Sequence, residues 1–300
     1  MSDLAESVEL VCGGSHARIL SKGAELRELR LGGVDLLWSP DAAIWPAVSP
    51  ILFPIVGRLR DDEVRIGAGA SRMNVHGFAA QMRFSIERLD EGAARCLAHD
   101  TRQTQAIYPF AFRLTLNFQL SASALSVAVA VENTGDTAMP YACGLHPGFR
   151  WPFDGGAPED YWIAFDQPES PDLPEITADG LFGRGIRRAP MTGDNLPLAR
   201  DLFAREALCF LNARSAGLLF GAPSGKAIRV ELDDFPHWAL WSRPPAPFLC
   251  IEAWTGHGDP ADFTGDVFAK PSMRVLAPGA QARHSAVFSF LNAREPLPMS

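Results

Sequence analysis

The clearest pattern along the chain is an alternation of apolar and polar residues between Arg113 and Val131. It runs in two parts, which the small residues 121–124 separate. The apolar positions are Leu114, Leu116, Phe118, Leu120, Leu125, Val127, Val129 and Val131. A period of two places such side chains on one face of a half-buried strand. The pattern therefore predicts two antiparallel strands joined as a hairpin and followed by a turn at residues 133–136.

Short runs of the same kind recur along the whole chain. They lie at residues 8–12, 18–20, 26–31, 83–89, 217–221, 227–232, 237–241, 248–251 and 284–291. Strands of this length and spacing favour a large antiparallel sandwich or barrel over alternating strand–helix–strand units. No convincing amphipathic helix is found beyond a short turn near residues 202–208. We therefore expect an all-β fold.

Glycine and proline interrupt the chain often, with 26 Gly and 24 Pro, and leave little uninterrupted length for long helices. Both are dense in residues 154–197, which predicts long surface loops or an irregular insertion there. An apolar fraction of 47% beside 21% charged residues excludes global disorder. Because no composition shift or internal repeat divides the chain, we expect one domain over residues 1–300.

The charge balance and the cysteines exclude several classes of protein. The 27 basic and 35 acidic residues give a net charge of −8, which repels a phosphate backbone, so we expect no nucleic-acid partner. No apolar stretch of about 18 residues could span a membrane, and residues 1–7 lack the features of a signal peptide. We expect a cytoplasmic protein with no membrane partner. The five cysteines, at positions 12, 96, 143, 209 and 250, are scattered, so we interpret them as free, buried thiols.

Four segments break the strand pattern and combine turn residues with an ionisable side chain, as active-site loops do. Arg58 ends an apolar run and can offer five hydrogen-bond donors to a ligand. His76 precedes a glycine, and His146 precedes a proline that favours an extended conformation. Glu252 follows an apolar run, where partial burial would raise its pKa towards the range of a base. Together they offer an acid, a base and a positioning cation.

Each of the four segments also has a purely structural interpretation. Arg58 can be a surface arginine, the two histidines can be structural, and Glu252 can be a strand-end carboxylate that faces water. The aromatic residues that follow His146 are placed to form an apolar floor for a sugar ring, or else a core around a structural histidine. They are Phe149, Trp151 and Phe153.

Metal and cofactor chemistry are less favoured by the sequence. His76, His146 and Glu252 have the chemistry of metal ligands, but no short metal-binding spacing connects them, so we expect no metal. Nucleotide-binding and dinucleotide-binding motifs and the nucleophile elbow of hydrolases are absent. Their absence disfavours a hydrolase, a nucleotide-binding protein and a hydride-transfer enzyme.

Seven segments in order resemble the aldose 1-epimerase (galactose mutarotase-like) family. They are residues 23–29 with 36–38, then 50–58, 76–78, 108–110, 139–147, 250–256 and 276–279. The resemblance implies a large antiparallel β-supersandwich of the galactose mutarotase type. It also implies an isomerase that interconverts the α and β anomers of a hexose or related aldose, a monosaccharide substrate and no cofactor.

The resemblance implies a role for each candidate residue. His146 matches the general acid that protonates the ring oxygen, and Glu252 matches the carboxylate that takes the proton from the anomeric hydroxyl group. Arg58 and His76 match residues that hold the sugar. Glu206 stands where the family has a sugar-binding aspartate, in the segment Arg205-Glu-Ala-Leu208.

Other departures from the family leave two alternative functions open. Ala80 stands where the family commonly has an arginine, and Ala253 where it usually has a proline. One alternative is a hexose-6-phosphate mutarotase, which needs a cationic cluster for the phosphate. The densest basic candidates for that cluster are Arg184, Arg187 and Arg188. The other is a sugar-binding or sensing protein without turnover.

Overall fold

The computed structural model of the protein describes residues 6–292, and nearly all the regular structure in this range is β. Fourteen described strands precede residue 151: β1 Ser7–Cys12, β2 Ser15–Leu20, β3 Leu26–Leu31, β4 Val34–Asp35, β5 Ile51–Leu52, β6 Glu63–Ile66, β7 Gly69–Arg72, β8 Ser85–Arg88, β9 Ala93–His99, β10 Phe112–Leu120, β11 Ala124–Asn133, β12 Met139–Tyr141, β13 Gly144–Leu145 and β14 Gly148–Arg150. Eleven follow: β15 Trp162–Phe165, β16 Asp172–Ile176, β17 Phe182–Arg188, β18 Asn195–Pro197, β19 Leu208–Phe210, β20 Gly217–Gly221, β21 Ala227–Asp233, β22 His237–Trp241, β23 Phe248–Trp254, β24 Arg274–Leu276 and β25 Gln281–Leu291.

Helices are short throughout the described residues. One α-helical turn, α1, covers Arg102–Gln105. The 3-10 turns cover Arg60–Asp62, Ala79–Gln81, Pro158–Asp160, Arg200–Phe203 and Val267–Ala269. None of these helices has the length or apolar character needed to cross a membrane. Residues 1–5, on which part of the signal-peptide expectation falls, lie outside the described range.

A nine-stranded sheet forms one layer of the described structure, in the order β18-β15-β20-β21-β25-β11-β10-β9-β8. Its centre is the hairpin of β10 and β11 that the sequence alternation predicts, so that prediction is confirmed. Leu116 pairs with Val129 and Leu120 with Leu125, and all four side chains are buried. The polar positions between them face outward, which is why the alternation is visible in the sequence.

A second large sheet carries the strands that form the candidate site. Its order is β19-β22-β23-β13-β5, with β14 also paired to β23. Phe149 on β14 contacts Phe288 on β25 with ring centroids 5.8 Å apart, so the two large sheets pack face to face. Every pairing between two of the described strands is antiparallel, and the prediction of an all-β antiparallel fold is confirmed.

The prediction of long loops or an irregular insertion at residues 154–197 is confirmed only in part, because the segment contains strands as well as loops. Four strands, β15 to β18, lie in this segment. β15 and β18 extend one edge of the nine-stranded sheet, whereas β16 and β17 form a separate hairpin. Pro174 and Pro197 lie inside these strands, a position that edge strands and short hairpins tolerate because they need fewer backbone donors. The expected helical turn near residues 202–208 is a 3-10 turn at Arg200–Phe203, and β19 begins at Leu208.

The five cysteines are free, as the sequence predicts. Four of them, Cys96, Cys143, Cys209 and Cys250, are buried, whereas Cys12 is half-buried. They act as small apolar side chains of the core or packed against it.

A close approach at Gly77 brings the His76 segment against the second sheet. Gly77 forms a bridge with Phe53, just after β5, and has a φ of 78°. A Cβ atom at this position would lie 2.3 Å from the Phe53 carbonyl oxygen. Only glycine fits there, so this residue fixes where His76 enters the site.

We predict that Gly77→Ala destabilises the protein by about 3 kcal/mol, because a left-handed alanine costs about 1–2 kcal/mol and overpacking adds about 1–3 kcal/mol. Gly67→Ala is the matched control, since Gly67 also has a positive φ but faces open space. We expect the control to lose only the backbone contribution. Urea denaturation of both variants measures the difference, and equal losses would contradict the argument from close approach.

Candidate active site

A cavity of about 850 Å³ lies against the second large sheet. One wall comes from residues 57–62 with 75–76, and another from residues 176–182 where the hairpin of β16 and β17 turns. Tryptophan side chains form a third wall. The residues on or beside the floor include Cys209, His146 and Glu252. A cavity of this size accommodates a small ligand with several polar groups.

Glu252 lies within β23, in the interior of the second sheet. All seven residues of β23 are buried, and Glu252 is only 2% exposed. Ala239 on the neighbouring β22 pairs with Glu252, and Cys209 on β19 pairs with Ala239. Burial raises the pKa of Glu252 well above its ordinary value, although the Trp254 indole N–H donates a hydrogen bond to Oε2 at 2.9 Å and opposes the rise. The sequence interpretation of a strand-end carboxylate that faces water is wrong.

His146 follows β13 and lies directly beside Glu252. Its Nε2 atom is 3.3 Å from Oε2 of Glu252. Trp45 and Trp241 flank the imidazole, with ring centroids 5.1 Å and 5.8 Å away. Burial, and then the neighbouring His76, lower the pKa of His146 well below its ordinary value. The ring is therefore neutral near pH 7.

These two pKa directions favour an uncharged pair. Burial disfavours both the Glu252 carboxylate and the His146 imidazolium ion, so it shifts both groups towards their uncharged forms. Moving one proton between them converts this form into a carboxylate beside an imidazolium ion. The two forms contain the same number of protons, so their ratio does not depend directly on pH. The pair can thus act as a proton donor and a proton acceptor to one ligand.

His76 presents a hydrogen-bond donor close to this pair. The backbone N–H of Gly57 donates to Nδ1 of His76 at 3.1 Å, so Nε2 carries the hydrogen of the neutral ring. The ring lies nearly perpendicular to that of His146, with centroids 5.4 Å apart. Burial and the positive charge of Arg58 lower the pKa of His76 to about 4. His76 is therefore a neutral donor at physiological pH.

Arg58 lies on the cavity wall, and a hydrogen bond to its backbone carbonyl oxygen holds it there. Its Nη1 donates to Asp62 at 2.6 Å, and the side chain remains 40% exposed. The Arg58 carbonyl oxygen accepts from the backbone of Asp259 at 2.8 Å. The carboxylate of Asp259 accepts from the Arg60 backbone and from Lys270, which forms a buried ion pair with it at 2.8 Å. This buried pair links two loops and holds Arg58 at the cavity.

All five residues that the sequence singles out line the one cavity: Arg58, His76, His146, Glu206 and Glu252. Glu206 lies in the exposed segment just before β19. The tryptophan residues that line the cavity were not among the residues that the sequence singles out. Trp254 is two residues after Glu252 and could have been found by that spacing, but nothing in the sequence marks Trp45 or Trp241.

The predicted aromatic floor is wrong. Phe149, Trp151 and Phe153 are buried in the core and do not line the cavity. Phe149 points towards the nine-stranded sheet, where it meets Phe288. These side chains face the core rather than the cavity because neighbouring residues of a strand point to opposite faces of the sheet. Sequence spacing alone does not say which of the two faces borders a cavity.

The histidine tautomer argues against a metal site. His76, His146 and Glu252 place one ligand atom each within 4.8 Å of one another. Since Nδ1 of His76 accepts the Gly57 N–H, its Nε2 carries a hydrogen and offers no lone pair. In a metal-binding histidine, the ring nitrogen that does not bind the metal usually donates a hydrogen bond instead of accepting one. The three residues therefore do not fit a metal centre.

The three arginines of the phosphate alternative do not line the cavity. Arg184 pairs with Asp262 at 2.6 Å and Arg188 with Asp172 at 3.1 Å. Arg187 donates to backbone carbonyl oxygens. Besides Glu252, the described lining carries the carboxylates of Asp61, Asp62, Asp179 and Glu206 and the guanidinium groups of Arg58 and Arg243. An excess of carboxylates disfavours a dianionic ligand group.

Comparison with known proteins identifies a family and a set of similar structures. The profile of the family described as aldose 1-epimerase matches residues 6–165. The plasmid Protein LacX of Lactococcus lactis subsp. lactis is 29% identical over 273 residues, covering 87% of this chain and 91% of LacX. A galactose mutarotase-like protein from Lactobacillus casei ATCC 334 superposes with a TM-score of 0.88 at 26% identity, covering 95% of this chain and 100% of that one. A galactose mutarotase related enzyme from Lactobacillus acidophilus gives 0.86 at 25% identity, covering 98% and 100%. The predicted fold type is confirmed.

A further buried histidine, outside the cavity lining, supports the same face of the sheet. His237 begins β22 and pairs with Trp254. Its Nδ1 accepts the backbone N–H of Asn212 at 2.9 Å, and the residue is 1% exposed. Burial, with a smaller contribution from His257, lowers its pKa to about 4.

We predict that His237 makes the protein less stable at acid pH. Below about pH 6.5 the unfolded chain binds a proton at this histidine, whereas the folded protein binds it only near pH 4, so stability falls as pH drops through this window. A pKa difference of this size corresponds to about 3 kcal/mol. His237→Asn, whose Oδ1 replaces Nδ1 as acceptor, should flatten this part of the pH dependence in urea unfolding between pH 7 and pH 4.

His99→Asn is the matched control, because His99 is exposed and solvated in both states. We expect it to keep the wild-type dependence. An unchanged slope in His237→Asn would show that this histidine does not couple folding to pH.

Proposed function

The chain belongs to the aldose 1-epimerase family, and from that premise we propose that it interconverts the α and β anomers of an unphosphorylated aldose. The observation that carries the proposal is the 3.3 Å contact between His146 and Glu252 at the base of a polar cavity. Two groups that exchange one proton and face the same ligand suit a reaction with paired proton transfers and no net proton change.

The interconversion requires two proton transfers in each half-reaction. The C1 hydroxyl group loses its proton while the ring oxygen gains one, so the bond between C1 and the ring oxygen breaks and an open-chain aldehyde forms. Rotation about the C1–C2 bond and reclosure by the reverse transfers give the other anomer. We assign the hydroxyl proton to Glu252 and the protonation of the ring oxygen to His146. Each group returns to its starting state after reclosure.

The uncharged pair already holds the proton that this scheme needs. Transfer of the Glu252 proton to His146 produces a carboxylate base and an imidazolium acid without exchange with solvent. Charge separation in a buried site is costly unless polar partners are present. The Trp254 N–H, 2.9 Å from Oε2, stabilises the carboxylate, and we expect the hydroxyl groups of a bound sugar to add to this effect.

The remaining polar groups of the cavity suit a polyhydroxylated ligand. His76 and Arg58 supply hydrogen-bond donors, whereas Glu206 supplies an acceptor. A sugar hydroxyl group can donate and accept at once, so a mixed set of this kind can fix its orientation. Trp45 and Trp241 supply apolar surface beside His146, on which the C–H face of a sugar ring can pack.

An unphosphorylated substrate agrees with the charges of the cavity. The carboxylates of its lining outnumber the guanidinium groups, and the Arg58 guanidinium is already paired with Asp62. A phosphate dianion would meet repulsion rather than a cationic cluster. The charges of the lining therefore favour a free aldose over a sugar phosphate.

We predict that His146→Ala and Glu252→Gln slow enzyme-catalysed mutarotation about 10²–10⁴-fold, the usual contribution of positioned proton transfer. The measurement follows the optical rotation of freshly dissolved α-glucose and α-galactose. Glu159→Gln, which changes an exposed carboxylate, is the control and should match the wild type. Sugar binding, followed by the fluorescence of the cavity tryptophans, should persist in Glu252→Gln. A wild-type protein that binds sugar without faster mutarotation would instead be a binding protein.

We also predict a preference for free sugars over sugar phosphates. The kcat/KM for glucose or galactose should exceed that for the corresponding 6-phosphate by about tenfold or more, which corresponds to about 1.4 kcal/mol of discrimination. Polarimetry with matched sugar pairs measures the ratio at fixed ionic strength. Arg184→Ala should leave it unchanged, because Arg184 pairs with Asp262 outside the cavity. A higher kcat/KM for the phosphates would overturn the assignment of substrate class.

A further inference from the structure

The segment that carries Glu206 has little regular structure of its own. It connects the 3-10 turn Arg200–Phe203 to β19, which begins at Leu208. Glu206 has a φ of 65°, a conformation that costs a residue with a side chain about 1 kcal/mol or more unless its surroundings impose it. An exposed turn in this conformation needs an external contact to stay in place.

Arg187 on β17 provides that contact. Its Nη1 donates to the carbonyl oxygens of Arg205 at 2.9 Å and Glu206 at 3.2 Å, and its Nη2 donates to the carbonyl oxygen of Leu202. One guanidinium group thus binds three carbonyl oxygens at the end of a 3-10 turn, where such groups lack partners within the helix. The planar arrangement of five donors makes arginine suited to this task.

The neighbouring arginines of the same strand make no such contact. Arg184 and Arg188 are exposed and pair with the carboxylates of Asp262 and Asp172. Arg187 is half-buried between them. The sequence Arg-Gly-Ile-Arg-Arg therefore contains three similar side chains, of which one reaches the segment at the cavity.

We propose that Arg187 is a positioning residue for Glu206: it holds the segment 202–206 so that the Glu206 carboxylate stays at the cavity and can bind a sugar hydroxyl group. The inference rests on the proposed function for the role of Glu206. Arg187 itself does not line the cavity and acts through the backbone it holds. Its loss affects the binding of the sugar and not the proton transfers between His146 and Glu252.

The first experiment separates binding from chemistry. Arg187→Ala should raise KM about tenfold or more, with kcat within about threefold of the wild type, the pattern expected when binding in the ground and transition states is lost equally. Arg187→Lys, which offers one ammonium group instead of a planar guanidinium group, should have a KM between those of the wild type and Arg187→Ala. Arg184→Ala and Arg188→Ala are the matched controls and should keep the wild-type KM. Loss of kcat with KM unchanged would overturn the proposal.

A double-mutant cycle tests whether Arg187 acts through Glu206. In the Glu206→Ala background, Arg187→Ala should raise KM little further. Once the carboxylate is absent, the position of the segment no longer affects sugar binding. Additive effects of the two substitutions would mean that Arg187 acts independently of Glu206 and would overturn the proposal.

Hydrogen exchange provides a test that does not depend on turnover. Amides in residues 200–208 should exchange faster in Arg187→Ala than in Arg188→Ala, whereas amides of β10 and β11 should be unchanged if the fold is intact. If the wild type does not accelerate mutarotation, the proposed function fails while this measurement still decides whether Arg187 holds the segment. Equal exchange in the two variants would overturn the proposal.

Discussion

Burial of the Glu252 carboxyl group inside a sheet is the constraint on which the candidate site depends. A carboxylate in this position loses hydration, and the Trp254 N–H offsets only part of that cost. Burial therefore shifts Glu252 towards the protonated acid and shifts the neighbouring His146 towards the neutral imidazole. A pair of this kind retains a proton that can move, because neither group is held in its charged state by a strong salt bridge.

The surrounding structure keeps the polar groups of the cavity at fixed distances. His76 is held by the backbone of Gly57, and Arg58 by the loop that contains Asp259. The buried ion pair between Asp259 and Lys270 makes this link costly to break, because removing one partner leaves a buried charge uncompensated. Glu206 is the exception, since it lies in an exposed turn whose backbone carbonyl oxygens accept hydrogen bonds from Arg187 of the separate hairpin of β16 and β17.

Sequence patterns predict this structure most successfully where one physical rule dominates. Alternation predicted the hairpin of β10 and β11 because its apolar positions are buried, whereas the polar residues between them are exposed or half-buried. The sequence pattern was less successful at residues 154–197, where the prolines and glycines suggested loops but short edge strands accommodate them. The expectation that Phe149 lines the cavity was wrong because its side chain points to the opposite face of the sheet.

The sequence by itself determined the fold class and the identity of the chemical groups. Periodicity sets which residues can be buried together, and the resemblance of seven ordered segments pointed to Arg58, His76, His146, Glu206 and Glu252. Only the tertiary structure decided how these groups interact. The 3.3 Å contact of His146 with Glu252, the tautomer of His76 and the contact of Arg187 with the Glu206 segment all join residues that are far apart in sequence. Protonation states and hydrogen bonds depend on distance and burial in space, and neither quantity can be read from the order of residues along the chain.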